Sequence, residues 1–560
     1  MWQKHYSHEV PHRLDFGANQ RVGVFVKRAS LVIIVSLAVS TAAADGAAAQ
    51  SIAPGLQDRV NNLALKAAPL AIPPAYSWTG FYLGANIGYS VGNDRATQAF
   101  TNTINGITAV PTAAFVTVPN GIIGGVQAGY NWQVDSNWLV GFETDFQGSG
   151  QQDTACILTC FTENVPTQPE TLIIQHRLDY FGTARARVGM VSNNALFYVT
   201  GGGAYGRVTQ TTTTAISDVV PSSGPGTITT NSISESKFGW VVGGGIEAAL
   251  WGHWTGKVEY LYMDLGTITN SMTGLFPPNV FGFSATTSST IRDNIVRAGV
   301  NYRFGAEPAL ALYDRVGPRP ISADARLSNW TGFYAGASAG YGSGNNRLAQ
   351  TIVQAGAAPA TISSTADSAI APNGILGGVQ FGYNWQGGRN WLVGVEADFQ
   401  GSAQNNKACT PILCFTEAAA NNNPALSETD SITIEQNLDY FGTLRGRVGV
   451  VNNNILFYGT GGVALGHVTE NVSLATAFFG LPPAFASSSS SADLAGWVAG
   501  GGIEAALWDR WTGKLEYLYM DLGSISNTLT AAVPGIGTEV VTTTSTVRDN
   551  IFRAGINYRF

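Results

Sequence analysis

Four groups of residues in this chain have types and spacing that suggest chemistry. Gly201-x-Gly203-x-x-Gly206 spells the glycine pattern of a dinucleotide-binding turn. That turn needs a strand followed by a helix whose N-terminus takes the pyrophosphate. Here the glycines stand inside an alternating, strand-like stretch, and a later copy, Gly461-Gly462-Val463-Ala464-Leu465-Gly466, breaks the pattern. They are read as small lumen-facing residues that relieve crowding. The cysteines fall as Cys156-x3-Cys160 and Cys409-x4-Cys414. Zinc usually wants two more ligands at matched spacing, and none are near. In an exported chain each pair is expected to form a disulfide that shapes a loop tip, adding only about 2 kcal/mol in the chain-entropy model, with free thiols as the alternative. Beyond residue 50 the histidines are His176, His253 and His467, with Gln436, Arg510 and Arg207 as their counterparts in the other half. A hydrolase on a barrel surface needs a Ser–His or Asp–His pair on one face. No histidine is expected on the outer face beside a suitable Ser or Asp, so no catalytic residue, metal ligand or cofactor is expected. The fourth group is charged, in pairs two residues apart such as Glu143-x-Asp145, Arg185-x-Arg187 and Lys257-x-Glu259. On a strand that spacing puts both members on one face.

The elements that must hold these residues are strands. The chain states its motifs twice. Ser77 to Tyr82 returns as Asn329 to Tyr334, Leu178 to Thr183 as Leu438 to Thr443, and Arg297 to Phe304 as Arg553 to Phe560. The period of about 250 residues is far above that of solenoid repeats, so each copy is a whole domain, 78–304 and 329–560, joined by a Pro-containing linker at 305–328. Within a unit the period is two: Val296, Ala298, Val300, Tyr302 and Phe304 alternate with Arg297, Gly299, Asn301 and Arg303. Eight such segments are expected in the first unit, near 79–91, 122–133, 138–149, 175–191, 195–208, 238–251, 254–266 and 290–304. Each is long enough for the roughly 9–11 residues of a tilted membrane strand. Short connections near 134–137, 192–194 and 252–253 alternate with long ones near 92–121, 150–174, 209–237 and 267–289. Short turns at one end and long loops at the other mark an outer-membrane barrel. The fold expected is therefore all-β: a transmembrane antiparallel up-and-down β-barrel in two tandem eight-stranded units, with one sixteen-stranded barrel as the alternative.

Composition agrees. Charged residues are 12% of the 560, the formal charge is −7, and Gly numbers 67. Aromatics at 11% argue against a disordered chain. The acidic balance and the lack of a Lys/Arg stripe argue against nucleic acid as a partner. No run beyond the N-terminus approaches the ~20 apolar residues of a spanning helix. Lys27-Arg28, the apolar run from Ala29 to Val39 and the Ala-rich stretch to Gln50 read as a signal peptide, placed at 27–49. Residues 1–26 are expected to precede the true start, and 50–77 to be a periplasmic segment.

The Trp78-Thr79-Gly80-Phe81-Tyr82 opening, the Tyr130-Asn131-Trp132 strand end, Asp179-Tyr180-Phe181-Gly182-Thr183 and the Asn557-Tyr558-Arg559-Phe560 terminus resemble the alphaproteobacterial porin-family outer-membrane immunogenic proteins. That family consists of small eight-stranded barrels in the outer membrane of Gram-negative bacteria; the tandem is this chain's departure. The resemblance implies outer-membrane lipid and the barrel-assembly machinery as partners, with Phe560 as the assembly signal. Phe304 matches that signal in sequence but is internal.

Phasing the strands by their outward apolar residues puts Glu143, Asp145, Asp179, Glu247 and Glu259 inside the first unit with Arg185, Arg187, Lys257, Arg297 and Arg303. The second unit gives Glu396, Asp398, Asp439, Glu504 and Glu516 against Arg445, Arg447, Lys514, Arg553 and Arg559. An eight-stranded barrel is just wide enough for side chains, so these charges must pair. The expected function is a structural, surface-exposed barrel with its lumen plugged by balanced charges. The alternatives are a general-diffusion porin built as one sixteen-stranded ring, and a loop-mediated adhesin or receptor. For the charges themselves, a gated ion path and a paired-carboxylate site are the other readings. The oligomeric state and any solute are not legible.

Overall fold

The computed structural model describes residues 77–305 and 329–560 apart from 105–106, 110–111, 159–169, 193, 217–226, 277–280, 356–360, 389, 417–428, 453, 478–481 and 535–536. The expected signal peptide, most of the periplasmic segment and nearly all of the linker lie outside the described residues.

Alternation of small or charged residues with aromatic and β-branched ones makes every regular element among the described residues a strand. The first unit holds β1 Gly80–Gly92, β2 Asp94–Ile104, β3 Ile107–Ala109, β4 Thr112–Thr117, β5 Asn120–Gln133, β6 Trp138–Leu158, β7 Glu170–Ser192, β8 Ala195–Ile216, β9 Thr227–Ala249, β10 Trp254–Phe276 and β11 Phe281–Arg303. The second holds β12 Gly332–Gly344, β13 Asn346–Ala355, β14 Thr361–Ile370, β15 Asn373–Gly387, β16 Trp391–Thr416, β17 Thr429–Asn452, β18 Ile455–Ala477, β19 Ala484–Ala506, β20 Trp511–Val533 and β21 Gly537–Arg559.

Each unit closes on itself. β1, β5, β6, β7, β8, β9, β10 and β11 pair in that order, and β11 returns to β1, with Leu83 opposite Tyr302 and Tyr89 opposite Val296. The second unit closes in the same way, β12 against β21, with Ala335 opposite Tyr558 and Tyr341 opposite Phe552. The sixteen-stranded ring is thereby overturned, since it requires β11 to pair with β12. β2 and β4 continue β1 and β5 outward and pair with each other, while β2 also pairs with the outer half of β11.

The strands outrun the sequence expectation. β6 to β11 are 21–23 residues long, so much of what reads as long loop at 150–174, 209–237 and 267–289 is strand. The missed halves are built from Thr, Ser and Asn, which point outward in cross-strand hydroxyl pairs: Thr211–Ser232 at 2.9 Å, Thr213–Thr230 at 3.1 Å and Thr269–Ser288 at 3.0 Å. Inside these outer halves the lumen is mixed: Leu178, Met263, Ile268 and Ile291 form one buried cluster, and neutral polar side chains such as Gln210, Asn270 and Thr287 are buried beside it. Polarity therefore inverts along each hairpin. The lower half is apolar outside and charged within, and the upper half is polar outside and within mixes apolar clusters with mostly neutral polar side chains.

Local irregularities set the turns and the facing of the side chains. The short turn between β9 and β10 needs a left-handed residue, and Gly252 (φ 52°) supplies it, as Asp509 (φ 47°) does in the second unit. β-Bulges fall at Leu178/Tyr180, Asp264/Gly266 and their counterparts Leu438/Tyr440 and Asp521/Ser524. An extra residue at a bulge switches which parity faces inward.

Candidate functional site

The lower lumen of the first barrel is filled by an ion-pair lattice. Arg185 donates to Glu143 (2.5 Å), Asp145 (3.0 Å) and Glu259 (2.8 Å). Arg297 reaches Glu259 at 2.7 Å and Asp145 at 2.9 Å, and Lys257 reaches Glu143 at 2.6 Å. Arg187 pairs with Glu247 at 3.1 Å and lies between the rings of Tyr82 and Tyr198. All these ionic side chains are at most 2% exposed. Neutral amides tie the layer across strands: Gln127 donates to Asn301 at 2.6 Å, and Asn301 to Glu247 at 2.9 Å.

The second barrel repeats the lattice. Arg445 pairs with Glu396, with Asp398 (2.7 Å) and with Glu516 (2.9 Å). Arg553 reaches Glu516 at 2.6 Å, Lys514 reaches Glu396 at 2.9 Å, and Arg447 reaches Glu504 at 2.8 Å. Arg303 and Arg559 sit at the short-turn end, where Arg303 donates to the Ser77 carbonyl and Arg559 to that of Asn329, each over a tryptophan ring, Trp78 and Trp330.

Two expected members do not face the lumen at all. Asp179 faces outward at the first bulge and pairs with Arg177 at 2.6 Å, while Asp439 is exposed and accepts from Thr469. Each is the extra residue of its bulge, so a period-two count carried through it assigns the wrong face. The same parity corrects the glycines: Gly201 and Gly203 share the outward face with Val199 and Tyr205, and only Gly206 faces inward, against Leu265 and Leu178.

The bulge also hides a cluster that sequence reasoning missed. His176 is buried in the outer half of the first lumen. Its Nε2 is 3.0 Å from Ser289 Oγ, and its Nδ1 is 2.8 Å from Thr117 Oγ1 and 3.6 Å from Asp94. The second barrel keeps Ser545 but has Gln436 and Asn346, joined at 2.5 Å. Ser289, His176 and Asp94 are at most 1% exposed, so a substrate has no surface by which to approach them. Asp293 and Asp549 are buried as well, and these were legible, since Asp293 shares its parity with Ile295 and Arg297. His467 does lie on the outer face, 2.7 Å from Asp493, contrary to the expectation for histidines. It stacks on Tyr440, and among the described residues no serine hydroxyl bonds to it.

Comparison with known proteins decides the family. The outer membrane protein beta-barrel domain matches residues 62–304 and again 321–560. The chain belongs to that family. The 31 kDa outer-membrane immunogenic protein of Brucella melitensis is 33% identical over 245 residues, 42% of this chain and 88% of that protein. The 22 kDa outer membrane protein of Rhizobium leguminosarum bv. viciae is 30% identical over 196 residues, 34% of this chain and 67% of that one. Among solved structures, OprG from Pseudomonas aeruginosa aligns over 42% of this chain and 99% of its own, at 13% identity and a TM-score of 0.25.

This outer-membrane barrel protein carries two aromatic belts in its first barrel. Trp132, Trp138, Trp251 and Trp254 ring the short-turn end, and Phe146, Tyr180, Tyr205 and Trp240 the other. On β8 the span from Phe197 to Tyr205 matches the thickness that tilted membrane strands cross. Residues above the second belt, including His176 and, in the second barrel, Glu470, stand outside the lipid.

Glu470 accepts from Thr543 (2.6 Å) and Ser545 (2.5 Å), and burial pushes its carboxyl above the usual carboxylate range. A raised native value means the fold prefers the protonated form. Stability at this site is therefore lost as pH rises past the unfolded value. Gln210 holds the equivalent position on β8. Glu470→Gln is expected to raise the second barrel's unfolding midpoint at pH 7 and leave it nearly unchanged at pH 3.5, read as heat-dependent gel mobility. An equal shift at both values would refute the assignment.

Cys409 is disulfide-bonded, and β16 loops out between Cys409 and Cys414, which oppose Thr433 and Ser431 on β17. Positions two apart on one strand lie about 7 Å from each other, near the upper limit for a disulfide. The side chains of Cys156, Cys160 and Cys414 lie outside the described residues.

Proposed function

We propose that the protein is a structural, surface-displaying component of the outer membrane whose two barrels are each sealed against ions and solutes, and that it has no catalytic site. The observation that carries this reading is the buried lattice of Glu143, Asp145, Glu259, Arg185, Lys257 and Arg297 with an apolar layer directly above it. An eight-stranded lumen has room for little else. Buried charges at contact distance on several partners serve as a filling, whereas a conducting path needs charges solvated and free to exchange ions. The strand halves above the upper belt lift the connecting tips away from the bilayer, which supports a role in surface display. Cys409–Cys414 and Cys156–Cys160 are proposed to brace two of those tips. Phe560 closes the last strand with its side chain exposed, donating its N–H to Phe333 O at 2.9 Å, and serves as the proposed signal for assembly.

Single-channel recording of the refolded full chain in planar bilayers tests the sealed reading. Near silence is expected. A large, steady conductance would overturn it and make a diffusion pore the first choice.

A further inference from the structure

The outward faces of the two barrels are not equally exposed. Most outward apolar side chains are open, Phe142 at 52% and Val199 at 66%. Ala195, Ile246 and Ala248 also point away from the lumen of the first barrel, yet none exceeds 2% exposure. They are covered by Ile455, Ile503 and Ala505 of the second barrel, which are their own equivalents.

That exchange of equivalents runs through the whole contact. Ser192, the last residue of β7 before its short turn, donates to Leu507 O (2.9 Å) of the second barrel. Asn452, which holds Ser192's place in the second barrel, donates to Leu250 O (3.0 Å) of the first, and Leu250 is the equivalent of Leu507. Higher up, Tyr260 packs on Phe552 at 4.6 Å. Two apolar grooves flank the line of contact and match in the same way: Trp138 and Val188 face Tyr341 in one, and Trp391 and Val448 face Tyr89 in the other.

A contact in which each partner plays both roles is isologous, the mark of two-fold symmetry. Ser192 and Asn452 both stand at the short-turn ends of their strands, so the axis runs along the barrels and both enter the membrane the same way up. Only that orientation lets two barrels share one bilayer with all short turns on one side. The chemistry also suits lipid, where association gains from close packing and hydrogen bonds rather than from hiding apolar surface. Ala195, Ala248, Ala505 and Gly513 let the backbones approach, and Phe197 lies 3.0 Å from where a Cβ on Gly513 would stand.

We propose that this face is a self-recognition surface of the barrel unit, so that the chain is a built-in two-fold pair whose association does not depend on the 305–328 linker. The inference uses the outer-membrane placement alone, and the conductance outcome does not bear on it.

The test uses the full chain, refolded, with a protease site inserted in the linker and the four native cysteines changed to serine. Ser192→Cys with Leu507→Cys, and its mate Leu250→Cys with Asn452→Cys, are oxidised and the linker is then cut. At either position the halves are expected to remain one band without reductant and to separate with it. Phe142→Cys with Val395→Cys, on exposed faces, is expected to give no band above background. Gel mobility without heating identifies any misfolded variant, and the symmetry mate then supplies the reading. Chain with a cut linker and no added cysteines is expected to elute from a sizing column in mild detergent as one two-barrel particle. Two barrel-sized particles, with crosslinking no greater than the control, would overturn the proposal.

Discussion

Arg297→Ala is expected to destabilise the first barrel by about 3–5 kcal/mol, the usual cost of removing one partner from a buried ion pair. Arg297 Nε donates to Glu259 at 2.8 Å, and Nη2 reaches Asp145 at 2.9 Å and Glu143 at 3.5 Å. Without it, three carboxylates are left to Arg185 and Lys257, with Arg187 reaching only Glu143, at 3.6 Å, in a buried space. Arg297→Lys keeps the charge but loses the planar fork, so it is expected to fall between wild type and alanine. Arg553→Ala is expected to act alike on the second barrel, whose Arg553 makes the same three contacts. Urea titration of refolded protein in lipid vesicles gives the energies. If Arg297→Ala matches wild type, the charges are hydrated and the sealed lumen is lost with them. Such a result together with altered ion selectivity would point to a pore.

Fold class was legible because a membrane barrel must satisfy two rules at once. Outward residues must be apolar, and every backbone group needs a partner. The run from Val296 to Phe304 shows the first rule in nine residues, and the equivalent run before Phe560 shows it again. Closure within each unit was not forced by sequence, since a sixteen-stranded ring satisfies both rules equally well. The choice lies in the pairing of β1 with β11, which no local pattern encodes. Above the upper belt the first rule lapses. Thr211, Thr213 and Thr269 face water there, so their stretches resemble loop although they are strand.

The lattice was legible where parity runs unbroken and illegible across a bulge. Arg185 and Arg187 keep the phase of Phe181 and fall inside as expected. Two residues earlier the phase switches, which throws Asp179 out and brings His176 in. A signal for the switch was available: Leu178 and Phe181, both large and apolar, are three apart and cannot share a face on a regular strand.

Duplication supplies its own controls. His176 and Gln436 fill the same lumen position, as do Gln210 and Glu470, and Gly252 and Asp509 make the same left-handed turn. In each case the site needs a function that either residue serves: a polar bridge, a hydrogen-bonding filler, a positive φ. Neither histidine nor carboxylate is required by both barrels. That argues against catalysis at these positions more directly than the histidine count does. The core of the lattice behaves differently, with Glu, Arg and Lys retained at 143/396, 185/445 and 257/514 in matching contacts.

A disulfide between β1 and β11 is expected to form readily and to stabilise the first barrel strongly. Ala85 lies opposite Val300 in the register, and facing residues on antiparallel strands are about 4.5–5.5 Å apart at Cα, within disulfide range. Ala85→Cys with Val300→Cys closes a loop containing most of the unit, which in the chain-entropy model adds roughly 5 kcal/mol. The sixteen-stranded arrangement would instead set Val300 beside β12, so Val300→Cys with Ala337→Cys is the opposing pair, expected to stay reduced. Position matters for this contrast. Val296 lines the groove that also holds Tyr341, and a crosslink there could arise between two separate barrels, whereas Val300 is 46% exposed and outside both grooves. Oxidation yield, measured with the denaturant midpoint, reads the two together. An Ala85–Val300 bond with a large upward shift fixes closure within the unit. A Val300–Ala337 bond would restore the single ring and, with it, an aqueous pore.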